Sequence, residues 1–148
     1  MAATPTTESG PDGAGPSDTV WSMETSRIRI GLLGCGHVGA ALVSLVAERR
    51  GEVERRTSLD LEVTRIAVRN TALDRDVPID SAAFTTDAAA LVVDPEVDVV
   101  VEVMGGIEPA RGLVSAALAA GKPVVTANKE LLANHGAELS GAAEPAGV

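Results

Sequence analysis

The sequence predicts an α/β protein built on a doubly wound, mostly parallel sheet, and three observations carry that expectation. A short apolar run from Ile28 to Leu33 feeds directly into Gly34-Cys35-Gly36-His37-Val38-Gly39, a GxGxxG arrangement, and residues of helical periodicity follow at once. Farther on, Val97-Asp98-Val99-Val100-Val101-Glu102-Val103 is too uniformly apolar for a strand with one wet face and fits a parallel strand buried on both. Strand-like and helix-like stretches alternate between and beyond these runs, the order that winds a parallel sheet through right-handed crossovers.

Residues 1–26 are rich in Thr, Ser, Gly and Pro, lack apolar periodicity and cannot bury enough surface to offset chain entropy. They are expected to form a disordered tail, which leaves 27–148 as one domain. The tail has neither the basic start nor the apolar core of a signal peptide, and no later stretch reaches the length of a membrane span, so a cytoplasmic protein is expected. Behind the glycine motif a helix is expected over 40–50, with Val38, Ala41, Leu42, Leu45 and Val46 on the face toward the sheet. Residues 61–68 alternate and are rich in β-branched side chains, which predicts a second strand ending near Arg69-Asn70. A loop over 71–85 follows, then a short helix over 88–93 capped by Thr86 or Asp87 and stopped by Asp94-Pro95.

After the apolar strand, Gly105-Gly106 make a turn, and Pro109 suits the start of a helix carrying Leu113, Val114, Ala117 and Leu118 on one side. Gly121 is a natural C-terminal cap and Pro123 prevents continuation. Residues 124–127 form a further strand, and Asn128 caps a helix that begins with Lys129 and is expected to break at Pro145 and Gly147. The sum is about four strands against the roughly six of a complete doubly wound sheet. The sheet is therefore expected to be incomplete at its C-terminal side, with 124–127 as an exposed edge.

Composition removes several classes of function. The formal net charge is −9, with Lys and Arg totalling 12 against 21 Asp and Glu, which argues against a nucleic-acid surface. Arg49, Arg50, Arg55 and Arg56 cluster, but Glu48, Glu52 and Glu54 interleave with them, the pattern of a solvated helix end and loop. A single cysteine excludes an internal disulfide and a cysteine-based zinc site, so no metal is expected. The absence of tyrosine excludes the tyrosine-lysine acid pair used by short-chain dehydrogenases.

Strand, glycine turn and helix in this order cradle a dinucleotide pyrophosphate. Gly34 permits the tight turn, Gly36 admits phosphate to bare backbone, and Gly39 lets helix and strand pack closely. The anion then sits at the helix N-terminus, where unpaired N–H groups and the dipole favour it. An ordinary structural turn is the other reading. In open α/β sheets the ligand lies beyond the carboxyl ends of the strands, which singles out 34–39, 69–70, 102–106 and 126–129. Arg69 stands where an acidic residue would hold the ribose 2′-OH of NAD, and a guanidinium there can form paired bonds to a 2′-phosphate. NADP(H) is thus the expected cofactor, with NAD(H) second, unless Arg69 is simply a solvated surface residue. Glu102 lies in an apolar run and needs a partner, either backbone N–H groups of the glycine turn or a ligand. Lys129 opposes the dipole of its own helix, so helix stability alone does not select it, although a snorkelling surface lysine would look the same. His37 would offer its backbone N–H, His135 reads as a helix-end residue, and Cys35 as a small side chain beneath the ligand.

Several segments together resemble one family. Ile30-Gly31-Leu32-Leu33-Gly34-Cys35-Gly36-His37-Val38-Gly39, Ile66-Ala67-Val68-Arg69, Val99-Val100-Val101-Glu102-Val103-Met104-Gly105-Gly106-Ile107-Glu108-Pro109-Ala110 and Val125-Thr126-Ala127-Asn128-Lys129 look like the amino-terminal part of homoserine dehydrogenase. The resemblance runs from 27 to 148 and implies a Rossmann-like domain in an NAD(P)-dependent oxidoreductase that interconverts L-homoserine and L-aspartate 4-semialdehyde, on the route to threonine, methionine and isoleucine. It implies that His37 and Val38 meet the cofactor phosphates through backbone and that Ala67 and Arg69 meet the adenosine ribose. Residues 102–106, Gly105 among them, would line the nicotinamide side, and Lys129 would approach nicotinamide and substrate. In this family a second domain binds the small amino-acid substrate, forms the dimer and supplies the lysine regarded as proton donor. That domain is expected to be absent here, so a homo-oligomer is expected only where it is supplied, and no nucleic-acid or membrane partner is expected. The alternative is a non-catalytic nucleotide-binding module or an inactive gene fragment.

Overall fold

The computed structural model describes residues 25–148, so the tail expected over 1–26 lies outside the described residues except at its last two positions. Ser26 belongs to the domain, because it already pairs with Leu59 in the sheet. The elements run β1 (Ser26–Leu33), α1 (His37–Thr57), β2 (Leu59–Ala67), β3 (Phe84–Thr85), α2 (Ala88–Val93), β4 (Val99–Glu102), α3 (Ala110–Ala119), β5 (Val124–Thr126) and α4 (Lys129–Ala146). Five strands pair in the order β3-β2-β1-β4-β5, all parallel. The expected count of about four missed β3, which has only two residues and so no periodicity to read. It exists because Ile66 and Ala67 offer a free strand edge, and Val68 N–H continues the ladder to the Thr85 carbonyl at 2.8 Å.

Alternation along the central strands divides the core into two layers. Ile30, Leu32, Ile66 and Val101 face α1, around Val43, while Leu33, Ala67 and Val100 face Leu91, Val92 and Ala117 of α2 and α3. A third cluster, Ala110, Val114, Leu118, Leu131 and Leu139, glues α4 onto α3. Between Ile30 and Gly31 the β1/β2 register slips by one residue, which strands Thr64 opposite no partner. Its hydroxyl is the buried side-chain oxygen left without a hydrogen bond among the described residues.

Helix α1 differs from expectation in two ways. It runs on to Thr57, so the arginine cluster is helical rather than loop, held by Arg49–Glu52 and Arg56–Glu52 pairs. The turn comes at Ser58, in a left-handed conformation with its N–H on the Glu54 carbonyl at 2.8 Å. The buried face is also rotated: Val38 and Leu45 are 61% and 53% exposed, and the face against the sheet follows Gly39, Leu42, Val43 and Val46. Gly39 sets that rotation, since a Cβ on it would stand 2.3 Å from the Gly34 carbonyl oxygen. In α4, Pro145 lies inside the last turn instead of breaking it, because in that turn it forfeits one backbone bond on an exposed side. The helix ends at Gly147, with φ +73°. Strand β5 is the edge of the sheet, as expected, with Val125 59% exposed.

Two charged devices close the amino-terminal end of the sheet. Lys122 is buried and donates from Nζ to the carbonyls of Asp94 at 2.7 Å and Val97 at 2.5 Å, satisfying acceptors where α2 ends. Arg29 forms a paired contact with Asp98, Nε to Oδ2 at 2.9 Å and Nη2 to Oδ1 at 2.8 Å, and its backbone N–H donates to the same carboxylate. The Arg29 side-chain and backbone bonds hold the Asp98 carboxyl down at about 2.

Two outcomes are expected. Gly39→Ala should destabilise the domain by roughly 1–3 kcal/mol or more, since the added methyl has only backbone to push against, measured by urea unfolding. For Asp98 the folded-state value lies below the ordinary 3.8, so its contribution is complete above that value and fades as pH falls toward 2. Asp98→Asn should therefore cost about 1 kcal/mol at neutral pH, the pair being partly exposed. The stability gap between variant and parent should close as pH drops from about 4 to 2.

Candidate cofactor site

From β1 the chain winds outward to β2 and β3 on one side and to β4 and β5 on the other, and the crevice opens where these directions part. A cleft of about 930 Å³ occupies that place, between the turn after β1, the connector after β2 and the turn after β4. Gly34 forms its floor with φ +96°, its Cα face turned to Met104, whose Cα would lie 3.2 Å from any Cβ there. A Cβ on Gly36 would meet nothing within 4 Å, so the backbone at this point faces open space. Helix α1 opens there without a side-chain cap, and its first bond is Ala40 N–H to the Gly36 carbonyl at 2.8 Å. The N–H groups of His37, Val38 and Gly39 precede that ladder, which is the setting an anion finds at a helix N-terminus.

Of the residues singled out from sequence, Gly34, Gly36, Ala67, Arg69 and Gly105 line the cleft together with Cys35. His37, Val38 and Gly39 follow at the opening of α1 without lining its walls. Lys129 is exposed at the first residue of α4, outside the lining, and makes no ion pair or hydrogen bond among the described residues. His135 is interior to α4 rather than at a helix end, with Nδ1 3.2 Å from Glu138 Oε2. Cys35 is half-buried, and burial pushes its thiol up against the opposing pull of the Arg75 charge.

Glu102 is fully buried at the end of β4, and its partners are those of the structural alternative. Its Oε1 accepts from Met104 N–H at 2.7 Å and Gly105 N–H at 3.3 Å, and its Oε2 accepts the Thr126 hydroxyl at 2.5 Å. Thr126 Oγ1 in turn accepts Asn128 N–H at 3.0 Å, while Asn128 Nδ2 donates to the Gly106 carbonyl at 2.6 Å and Asn128 Oδ1 caps α4 at Leu131 N–H. One ring of hydrogen bonds thus fixes the glycine turn, the end of β5 and the start of α4.

Arg75 was passed over in the sequence, where flanking Asp74 and Asp76 suggest a solvated loop. The fold instead turns its guanidinium onto the carbonyls of Leu73 and Asn70 and over the Phe84 ring, facing the cleft. The lone phenylalanine in that loop was the available signal.

Residues 34–148 match the family model described as homoserine dehydrogenase, NAD binding domain. The chain belongs to the homoserine dehydrogenase family. It is 48% identical over 123 residues to the homoserine dehydrogenase of Corynebacterium glutamicum, a match covering 83% of this chain and 27% of that protein. The Synechocystis homoserine dehydrogenase is 40% identical over 121 residues, covering 82% and 28%. Among solved structures, homoserine dehydrogenase of S. aureus at pH 7.5 superposes with TM-score 0.79 at 37% identity, covering 84% of this chain and 31% of that one. The enzyme from Thiobacillus denitrificans gives 0.74 at 44% identity, covering 83% and 28%. The chain therefore spans less than a third of the length of these homoserine dehydrogenases and corresponds to their nucleotide-binding part. Among the described residues no helix is long and apolar enough to cross a membrane, and no group of three or more His, Cys, Asp or Glu could hold a metal ion.

Thr126→Val should lower stability by roughly 1–3 kcal/mol, since it strips Glu102 Oε2 of its donor and Asn128 N–H of its acceptor in a buried place. Chemical unfolding checks this, and hydrogen exchange at Met104 and Gly105 should quicken with it.

Proposed function

We propose that this chain binds NADP(H) in preference to NAD(H) in the cleft at the carboxyl ends of the strands, as the cofactor part of an enzyme interconverting L-homoserine and L-aspartate 4-semialdehyde. The observation that carries the reading is the joining, in one cleft, of an uncapped helix N-terminus, an open Gly36 and an exposed Arg69 beyond β2. Backbone N–H groups at His37 and Val38 take the pyrophosphate; Ala67 and Arg69 meet the ribose; Gly105, held by Glu102, borders the nicotinamide. When bound, the cofactor supplies the hydride that passes between nicotinamide C4 and the aldehyde carbon. In this reading Lys129, the first residue of α4 behind the Asn128 cap, approaches the nicotinamide and the substrate.

Lys129 is open to solvent, with no described residue to wall off a substrate or exclude water from it. That favours a second reading of the 148 residues taken alone, a module that binds nucleotide without turnover. Purified free of host enzyme, the chain should bind the cofactor and show no homoserine-dependent reduction of NADP; turnover above background would reject this reading.

Gly36→Val should abolish nucleotide binding by calorimetry yet leave a folded domain, because the space the side chain enters is empty of protein and φ at this position is −82°. Retained affinity in a folded variant would reject the site. Arg69→Ala should weaken NADPH by about 1.5–3 kcal/mol while leaving NADH nearly unaffected. Equal losses for both would show that Arg69 has another task.

A further inference from the structure

In a chain with 21 acidic and 12 basic side chains, a guanidinium that finds no carboxylate stands out. Arg27, Arg29, Arg49, Arg50, Arg56, Arg65 and Arg111 all lie within 4.0 Å of one. Arg55, Arg69 and Arg75 have no such partner among the described residues, and of these Arg69 and Arg75 line the same cleft. Glu108, the acidic residue lining it among the described residues, sits in the turn before α3 and pairs with Arg111 at 3.8 Å. The connector after β2 therefore presents two positive charges to the cleft, and its own Asp74, Asp76 and Asp80 neither line the cleft nor pair with them.

The two arginines differ in how they are held. Arg69 is exposed and unpartnered, so a ligand must immobilise its whole side chain. Arg75 is already fixed: Nη1 donates to the Leu73 carbonyl at 2.8 Å, Nη2 to the Asn70 carbonyl at 3.0 Å, and Cζ lies 5.4 Å above the Phe84 ring. Neither flanking aspartate captures it. Two of its N–H groups are used on backbone and the remaining ones are left for an acceptor. Its charge is felt in the glycine turn at Cys35.

We propose that Arg75 determines cofactor specificity as the fixed half of a two-arginine clamp on the ribose 2′-phosphate, with Arg69 as the half that closes on binding. A phosphate monoester carries close to two negative charges at neutral pH and offers several strong acceptor oxygens, which suits two guanidiniums approaching from different sides. The ribose diol of NAD(H) offers no charge, so the preformed cation gains little from it. This inference rests on the reading of the cleft as the nucleotide site.

Calorimetric titration of the full chain with NADPH and with NADH, which differ only in the 2′-phosphate, tests it. The parent should prefer NADPH. Arg75→Gln keeps a donor for the loop carbonyls and removes the charge, and it should cut the NADPH-to-NADH preference at least tenfold with NADH affinity unchanged. Arg75→Lys should keep part of the preference, and the two variants should melt close to the parent. An unchanged preference in Arg75→Gln overturns the proposal, and so does an equal loss for both nucleotides, which would make Arg75 a prop for the loop. A parent that binds both nucleotides without preference also overturns it, whereas a parent that binds neither rejects the underlying site.

Discussion

Glu102 is fully buried, and a carboxylate in that position is costly unless donors meet it. The fold meets it with three donors from two directions: Met104 and Gly105 beyond its own strand end, and Thr126 on the neighbouring strand. The consequence reaches beyond the residue. Because Thr126 also accepts from Asn128, and Asn128 reaches back to Gly106, the requirement of one buried charge dictates where the turn after β4 lies and where α4 begins. One side of the cleft is thus shaped by electrostatic necessity, while the other, where Gly39 meets Gly34, is shaped by steric contact between backbones.

Charge is sorted between the two ends of the sheet. At the amino-terminal end the cations are consumed: Arg29 by Asp98 and Glu96, Arg50 and Arg27 by Asp60, and Lys122 by two carbonyls. At the carboxyl end Arg69, Arg75 and the uncapped start of α1 are left without carboxylates. A molecule acidic overall can in this way hold a locally positive mouth, since potentials near a low-dielectric cleft follow neighbouring groups more than the total charge.

What could be read from the sequence followed the reach of each signal. The glycine turn, the caps at Asp87 and Asn128, and the need of Glu102 for backbone donors are short-range matters in which neighbouring residues decide the outcome. The rotation of α1 was misjudged, because spacing offers several apolar stripes and only the Gly39 to Gly34 contact, invisible in a helical wheel, selects among them. Strand β3 escaped because two residues borrow their conformation from β2. Arg75 escaped because its neighbours in the chain are acids, whereas its neighbours in space are two carbonyls and an aromatic ring. The run of arginines and glutamates is legible as solvated but not as helix throughout, because only the i,i+3 and i,i+4 pairs of Glu52 with Arg49 and Arg56 carry α1 on to Thr57.

The cradle at Gly34 and Gly36 is main chain, and main chain has no side-chain alphabet in which to drift; a substitution there either closes the space or twists the turn. The two arginines stand on a connector separate in the chain from the turn and from Glu102, and Arg75 is fixed there by two of the connector's own carbonyls and by the Phe84 ring. Under the proposed reading, holding a nucleotide and choosing between nucleotides fall to separate parts of this fold. Editing the span between β2 and β3 would then change the choice while leaving the main-chain cradle untouched.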